Sequence, residues 1–330
     1  MKNVWYTCPF VPPEWIAAHG FRPRRRRLAS AASGRAAGAP AGACPYANAF
    51  VAAAGAIPPD DAVVVTTLCD QMRRASELIA RNAGDGLFVM HVPKTWREAN
   101  PHRLYVDELR RLGRFLEDAG GAPPSPERLA DVMRAYDSAR RSMLAARGRV
   151  SGRQFAQALA DFQESGRADF DAGAIGEGAP SPGRGPAVAI VGGPIMADDF
   201  WIFDRVEGFG ARVVLNATVG AELGLPRPLD RRRIGDDPLG ELADAYFGHI
   251  PHPARRPNSR LFQYLRRELR DRQVEGVLFV RYVWCDLWHA ELHRLKEFSP
   301  CPAAGIELTD DAGGAVRATA RIQSLIEMLR

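Results

Sequence analysis

Gly276-Val-Leu-Phe-Val-Arg-Tyr-Val-Trp-Cys285-Asp286, followed by Leu287-Trp288-His289, is the stretch that decides the fold. A β-branched and aromatic run stops at Cys-Asp and a helical pattern starts at once, as when a buried strand feeds a crossover helix. The chain does this twice. Ala62-Val-Val-Val-Thr-Thr-Leu-Cys69-Asp70 runs in the same way into Gln71-Met72-Arg73-Arg74. Each cysteine is therefore expected at the carboxyl end of a parallel strand, where open α/β sheets place their ligands. Asp70 and Asp286 are the expected N-caps, and the helix amides behind them favour thiolate over thiol.

Outward from these two units the chain divides into three blocks. Residues 1–100 alternate strands (Val4–Thr7, Ala62–Leu68, Leu87–Val92) with helices (Glu14–His19, Met72–Asn82), and an Ala/Gly-rich surface loop, Ala29–Ala43, follows Arg24–Arg27. Residues 101–180 are helical: Tyr105, Leu109, Leu112 and Leu116 recur at helical spacing, as do Leu129, Val132, Met133, Tyr136 and Met143. Ser125 before Pro126 and Ser151 before a pattern ending at Phe162 mark two helix starts, and Gly173–Pro186 reads as a linker. Residues 181–330 return to alternation: strands at Ala187–Val191, Ala211–Leu215 and Ala304–Leu308 join the Cys285 strand, separated by helices. The expected architecture is α/β, two Rossmann-like parallel-sheet domains (1–100 and 181–330) with a helical segment and linker between them.

Composition sets the frame. The chain has 330 residues, 46% hydrophobic and 25% charged, ordinary for a globular protein of two domains. Five widely spaced cysteines make no disulfide framework, which fits a reducing cytoplasm. No run of 18 apolar residues exists, and the N-terminus lacks a signal-peptide core, so a cytoplasmic protein without a membrane span is expected. The net charge of +5 suits anionic small molecules or an acidic partner. The arginine clusters Arg22, Arg24–Arg27, Arg231–Arg233 and Arg255–Arg256 have no interleaved aromatic platform, so they read as solvated surface, with no nucleic-acid partner. No Walker loop occurs, and Gly192-Gly193-Pro194 is a poor dinucleotide fingerprint.

Cys44, ahead of Pro45, joins Cys69 and Cys285 at loop or strand-end positions rather than inside helical stripes. Any one alone reads first as a small buried hydrophobe; the three together raise the alternative of shared metal ligation. Cys8 ends the first strand and is a possible extra ligand, whereas Cys301, in Ser299-Pro300-Cys301-Pro302, reads as structural. Two metals stay open. His289, one turn after Cys285, would complete a zinc Cys3His set; three thiolates with no clear fourth suit a cubane whose last iron is left for substrate. His91, His249 and His252 are the acid–base candidates, each readable also as a hydrogen-bonded structural imidazole.

These residues resemble the 2-hydroxyacyl-CoA dehydratase and benzoyl-CoA reductase family, nearly end to end. The opening segment Tyr6–Pro23, Cys44-Pro45, Thr67-Leu-Cys69-Asp70-x-x-Arg73-Arg74, Gly192-Gly193-Pro194 and Gly276-Val-Leu-Phe with Cys285-Asp286 carry the likeness, with Glu291 and Gly305-Ile-Glu307-Leu near the close. The resemblance implies that Cys44, Cys69 and Cys285 hold one [4Fe-4S] cluster, and that a related subunit pairs with the chain as a hetero- or homodimer. It also implies an ATP-hydrolysing iron–sulfur activator that injects one electron, and an acyl-CoA substrate. The implied reaction is radical elimination of water from a 2-hydroxyacyl-CoA through a thioester ketyl. Aryl-CoA reduction and a non-catalytic electron relay are the alternatives. The arginine clusters, if they act, would bind CoA phosphates or dock the activator.

Overall fold

The computed structural model describes residues 1–30, 42–96, 99–169, 175, 184–309, 311 and 313–330. Most of the expected Ala29–Ala43 loop and of the Gly173–Pro186 linker lies outside the described residues.

In the first unit, β1 (Asn3–Tyr6), α1 (Pro13–Ala18), β2 (Arg22–Arg25), α2 (Pro45–Ala54), β3 (Ala62–Thr66), α3 (Asp70–Ala83) and β4 (Leu87–Met90) follow in order. The strands form a parallel sheet in the order β2-β1-β3-β4. Strand β2, Arg-Pro-Arg-Arg, has none of the apolar alternation that marks a strand in the sequence. It is an edge strand, where a proline without N–H is tolerated, and its inward residues are Pro23 and Arg25. Helices α4 (Ala99–Asp118), α5 (Pro126–Ala145) and α6 (Gly152–Ser165) come next. Ser125 and Ser151 cap α5 and α6 as their hydroxyls imply, Ser151 in a reciprocal capping box with Gln154.

The second unit runs β5 (Ala187–Gly192), α7 (Trp201–Gly208), β6 (Arg212–Thr218), α8 (Arg231–Asp236), α9 (Pro238–Phe247), α10 (Ser259–Asp271), β7 (Gly276–Tyr282), α11 (Asp286–Phe298), β8 (Ala303–Leu308) and α12 (Gly314–Met328). Its parallel sheet has the order β6-β5-β7-β8. An α/β fold with two parallel sheets is thus the architecture. Gly192, at φ +152, ends β5 against β7, where a Cβ would overlap the Val280 carbonyl.

Strand periodicity ties the units together. Alternate residues of β3 face different cores: Ala62 and Val64 pack with α1, α4 and α5, whereas Val63 and Val65 share a core with Val188, Ile190, Leu278 and Val280 of the second sheet. Residues 229–254 lie in the second half of the sequence yet pack on the first unit, with Leu242, Tyr246 and Phe247 against Tyr105 and Leu109. A polar clamp fixes that return. The buried Glu14 carboxylate accepts from Arg140 and, at 2.8 Å, from the Tyr246 hydroxyl, joining α1, α5 and α9. Among the described residues no helix is long and apolar enough to cross a membrane.

Candidate functional site

Both sheets turn their carboxyl ends towards one cavity of about 90 Å³, well above the roughly 10–15 Å³ that a single water needs. Thr7 and Cys8 follow β1, Thr66 and Cys69 end and follow β3, and Gly193 and Pro194 follow β5. Val219 follows β6, and Tyr282 and Cys285 end and follow β7. Cys44, Tyr46, Met72, His252, Leu287 and Trp288 fill in much of the remaining wall. Carboxyl ends of parallel strands collect ligands because loops and helix N-termini converge there.

Cys44, Cys69 and Cys285 are thus brought to one cavity from both units, and they share one backbone role. Each is the N-cap of a helix, α2, α3 and α11 respectively. The first intrahelical bonds end on their carbonyls: Asn48 N–H to Cys44 at 3.0 Å, and Arg73 to Cys69 and His289 to Cys285 at 2.9 Å each. This corrects the expectation of Asp70 and Asp286 as caps by one residue. Those carboxylates occupy the first helical turn, where they still favour the dipole. At Cys285 the shift comes from Trp284, whose left-handed φ of 63° turns the chain out of β7 and into α11.

Burial dominates the thiol electrostatics. It pushes Cys44 up to about 12, with the neighbouring Cys285 raising it further, and Cys285 up to about 11; Cys69 is raised for the same reason. Opposing this, helix amides lower each group: Ala47 and Tyr46 at Cys44, Met72 and Gln71 at Cys69, Trp288 at Cys285. The metal-free thiols therefore keep their protons at neutral pH, and a metal must displace them, as cations bound to thiolates do. Cys8 also stands in the wall, its thiol raised by burial and lowered by the Thr66 hydroxyl, the Phe10 amide and the Arg25 charge.

Histidines separate by position. His252 is buried in the wall, and its Nδ1 accepts the Ala254 N–H at 3.1 Å, which assigns the ring proton to Nε2. Burial, with the nearby Arg255 charge, lowers it to about 3, so the ring is neutral at physiological pH. His91 is exposed on the far side of β4, where its backbone N–H meets Glu108. His249 is exposed in a separate groove beside Arg227 and Asp244. Neither lines the cysteine cavity. Nor does His289, which is exposed because Trp288, one residue earlier on α11, takes the inward face. The expected zinc Cys3His set is therefore not assembled. Among the described residues no group of three or more His, Cys, Asp or Glu side chains is close enough to share one metal ion. Thiolates on a single zinc stand within about 4 Å of each other, given Zn–S bonds of about 2.3 Å; ligands to different irons of a cubane stand farther apart. Cys301 packs beside Ser299 against the same core as Cys285 and Trp288, but does not line the cavity.

Several residues of the site are silent in the sequence. Tyr46 stacks on Tyr282, ring centroids 6.4 Å apart, and the Tyr282 hydroxyl donates to Asp199 at 2.5 Å while accepting the Met196 N–H at 2.9 Å. Helix α2 carries no apolar periodicity that marks it in the sequence; Pro45 at its first position is the usable signal. Arg25 and Arg255, read as solvated, are buried: Arg25 is 8% exposed and Arg255 is 0%.

Comparison with known proteins adds an assignment. No curated protein matches the chain. Among solved structures it is similar to the SBP FpvC of P. aeruginosa in complex with a Ni2+ ion, with 14% identity over 99% of this chain and 96% of that one. The TM-score of 0.27 is too low to carry an argument. The family model described as 2-hydroxyglutaryl-CoA dehydratase, D-component, matches residues 8–329. That span takes in all five cysteines and every strand except β1, and the chain belongs to the 2-hydroxyglutaryl-CoA dehydratase D-component family.

Proposed function

We propose that the chain is the iron–sulfur subunit of a 2-hydroxyacyl-CoA dehydratase, with one [4Fe-4S] cluster held by Cys44, Cys69 and Cys285. The observation that carries this reading is the convergence of three helix-capping cysteines, one after β3, one after β7 and one at the head of α2, on a single cavity. The donor set suits the group: three sulfurs on one largely apolar wall, drawn from both units. Cys8 is a further thiol at the same wall.

When bound, the cluster supplies a one-electron relay and an open iron able to act as a Lewis acid. The chain's own residues do the rest. The amides at the heads of α2, α3 and α11 stabilise the thiolates once the metal has displaced their protons. Leu68, Met72, Leu287 and Trp288 give the cavity an apolar wall, which would shield a radical and strengthen charge interactions inside. His252, held neutral, presents its Nε2–H as a hydrogen-bond donor, and a ring so hard to protonate is a poor general base. In the overall reaction the C2–O bond and one β-C–H bond break, a C=C bond forms and water leaves. The injected electron is returned, so none is consumed.

A related dehydratase subunit and a separate ATP-hydrolysing activator complete the system in this reading. The test is anaerobic purification with both, followed by assay against a panel of 2-hydroxyacyl-CoA thioesters and benzoyl-CoA. Loss of water from a 2-hydroxyacyl-CoA is the expected result. Reduction of benzoyl-CoA alone would move the assignment to aryl-CoA reduction. A loaded protein that turns over nothing, yet passes electrons to its partner, would make it a relay.

A further inference from the structure

Arg25 is buried against Thr7 and Val219 of the cavity wall, Arg255 is buried one layer behind His252, and among the described residues neither pairs with a carboxylate. Arg25, at the end of β2, donates from Nε to the Thr7 carbonyl at 3.1 Å and from Nη2 to the Val219 carbonyl at 2.8 Å. Thr7 and Val219 both line the cavity. With its side-chain amide turned, Gln163 offers its oxygen to Nη1 at 3.2 Å. All three acceptors are neutral.

Arg255 is more isolated. It stacks on Phe247 at 3.8 Å, Trp96 at 4.0 Å and Phe10 at 5.4 Å. Its Nε and Nη1 have no hydrogen-bond partner, and Nη2 reaches only the Thr95 carbonyl at 3.5 Å. Its backbone N–H binds the carbonyl of His252, a wall residue, at 2.9 Å. The aromatic faces offset part of the cost of burying this charge, and no more than part. Two carbonyl bonds, as at Arg25, need only N–H donors, which a neutral side chain also offers. The charge itself is what neither packing nor hydrogen bonding explains.

We propose that Arg25 and Arg255 are positioning residues whose fixed positive charge compensates a net-negative occupant of the cysteine cavity and favours its reduced form. The inference rests on the cluster reading above. Three thiolates make a cubane anionic, and one-electron reduction adds a further negative charge, so a nearby buried cation favours the reduced state. The step is simple: the oxidised cluster takes one electron from a reductant, here dithionite, with no bond broken and no proton moved.

The test uses the full chain, reconstituted anaerobically with iron and sulfide, as wild type, Arg25→Met, Arg25→Lys, Arg255→Met and Arg255→Lys. Iron and sulfide content, the midpoint potential from spin-monitored titration, and melting temperature with and without the cluster are read for each. Both Met variants should shift the potential downwards, so that at a fixed applied potential the reduced fraction falls several-fold, while the Lys variants stay near wild type. Metal-free Arg255→Met should melt above metal-free wild type and gain less on loading. If Arg25→Met fails to fold, Arg25→Gln keeps N–H donors without the charge and takes its place. Fully loaded Met variants with the wild-type potential would overturn the inference and leave the cluster reading standing, as would Lys variants that shift as far as Met. A wild-type chain that takes up no iron or sulfide would overturn both.

Discussion

Two buried polar regions of this chain are built on opposite terms. In the clamp of α1, α5 and α9, the charges answer one another: Glu14 against Arg140 and Tyr246, with Asp137 at 4.0 Å from Arg140 and 3.1 Å from Arg141. At the carboxyl ends of the two sheets, charge and proton are left unanswered. Four thiols stay protonated, His252 stays neutral, and Arg25 and Arg255 face no carboxylate among the described residues. The first pattern pairs its charges and holds elements together, leaving only Arg140 Nη2 without a hydrogen bond. The second is the one that the proposed cluster would complete, which sets the two kinds of buried polarity apart within one molecule.

The comparison breaks most easily at the clamp. Glu14→Ala leaves Arg140 buried with a lost partner and should cost about 3–5 kcal/mol in denaturant unfolding. Replacing both residues together by apolar ones should recover much of that, since the pair rather than either charge is at stake. A change below about 1 kcal/mol for Glu14→Ala would show that the clamp is not a structural ion pair.

Titration of the metal-free protein comes next in size. His252 is lowered to about 3 from an ordinary value of 6.5, so below 6.5 the unfolded chain takes up a proton that the folded one refuses. Stability should therefore fall as pH drops from 6.5 towards 3, by about 2–3 kcal/mol at pH 4.5, and His252→Gln should remove that share. The thiols have the opposite sign. Their folded values lie above 9.0, so their stabilisation is complete below 9 and is lost as pH rises towards 11 or 12. Chemical denaturation of wild type, His252→Gln and Cys44→Ser across this range checks both limbs; identical profiles would contradict the burial described here.

Smaller effects sharpen the contrast outside both regions. Gly192→Ala forces a Cβ against the Val280 carbonyl where β5 meets β7 and should cost about 1–3 kcal/mol. Ser151→Ala removes one half of a capping box on α6, remote from the cysteines, and should cost about 1 kcal/mol while leaving metal uptake untouched. Thermal melts with parallel iron analysis distinguish the two.

Much of the fold was legible because buried parallel strands are written as apolar runs, and Cys-Asp at their ends marks the turn into a helix. The cysteines were legible for the same reason. What escaped depended on contacts between distant segments. Arg-Pro-Arg-Arg pairs as an edge strand only because β1 lies beside it, and Arg255 is buried only because Phe10, Trp96 and Phe247 meet around it. His249 and His252 stand three residues apart in Gly-His-Ile-Pro-His-Pro, yet one is exposed and the other walls the cavity. No local pattern separates them. The caps differ from expectation by one residue: aspartate is the stronger capping type, yet cysteine holds the N-cap position without a side-chain cap hydrogen bond and the carboxylate follows it.

The most direct measurement is iron and sulfide content after anaerobic reconstitution of wild type, Cys44→Ser, Cys69→Ser, Cys285→Ser and Cys301→Ser, each with a spin-resonance spectrum after dithionite. One cluster per chain is predicted in wild type and Cys301→Ser, with loss of the cluster and its reduced signal in the other three. Full loading of any of those three, or no iron in wild type, would contradict a cluster held by Cys44, Cys69 and Cys285.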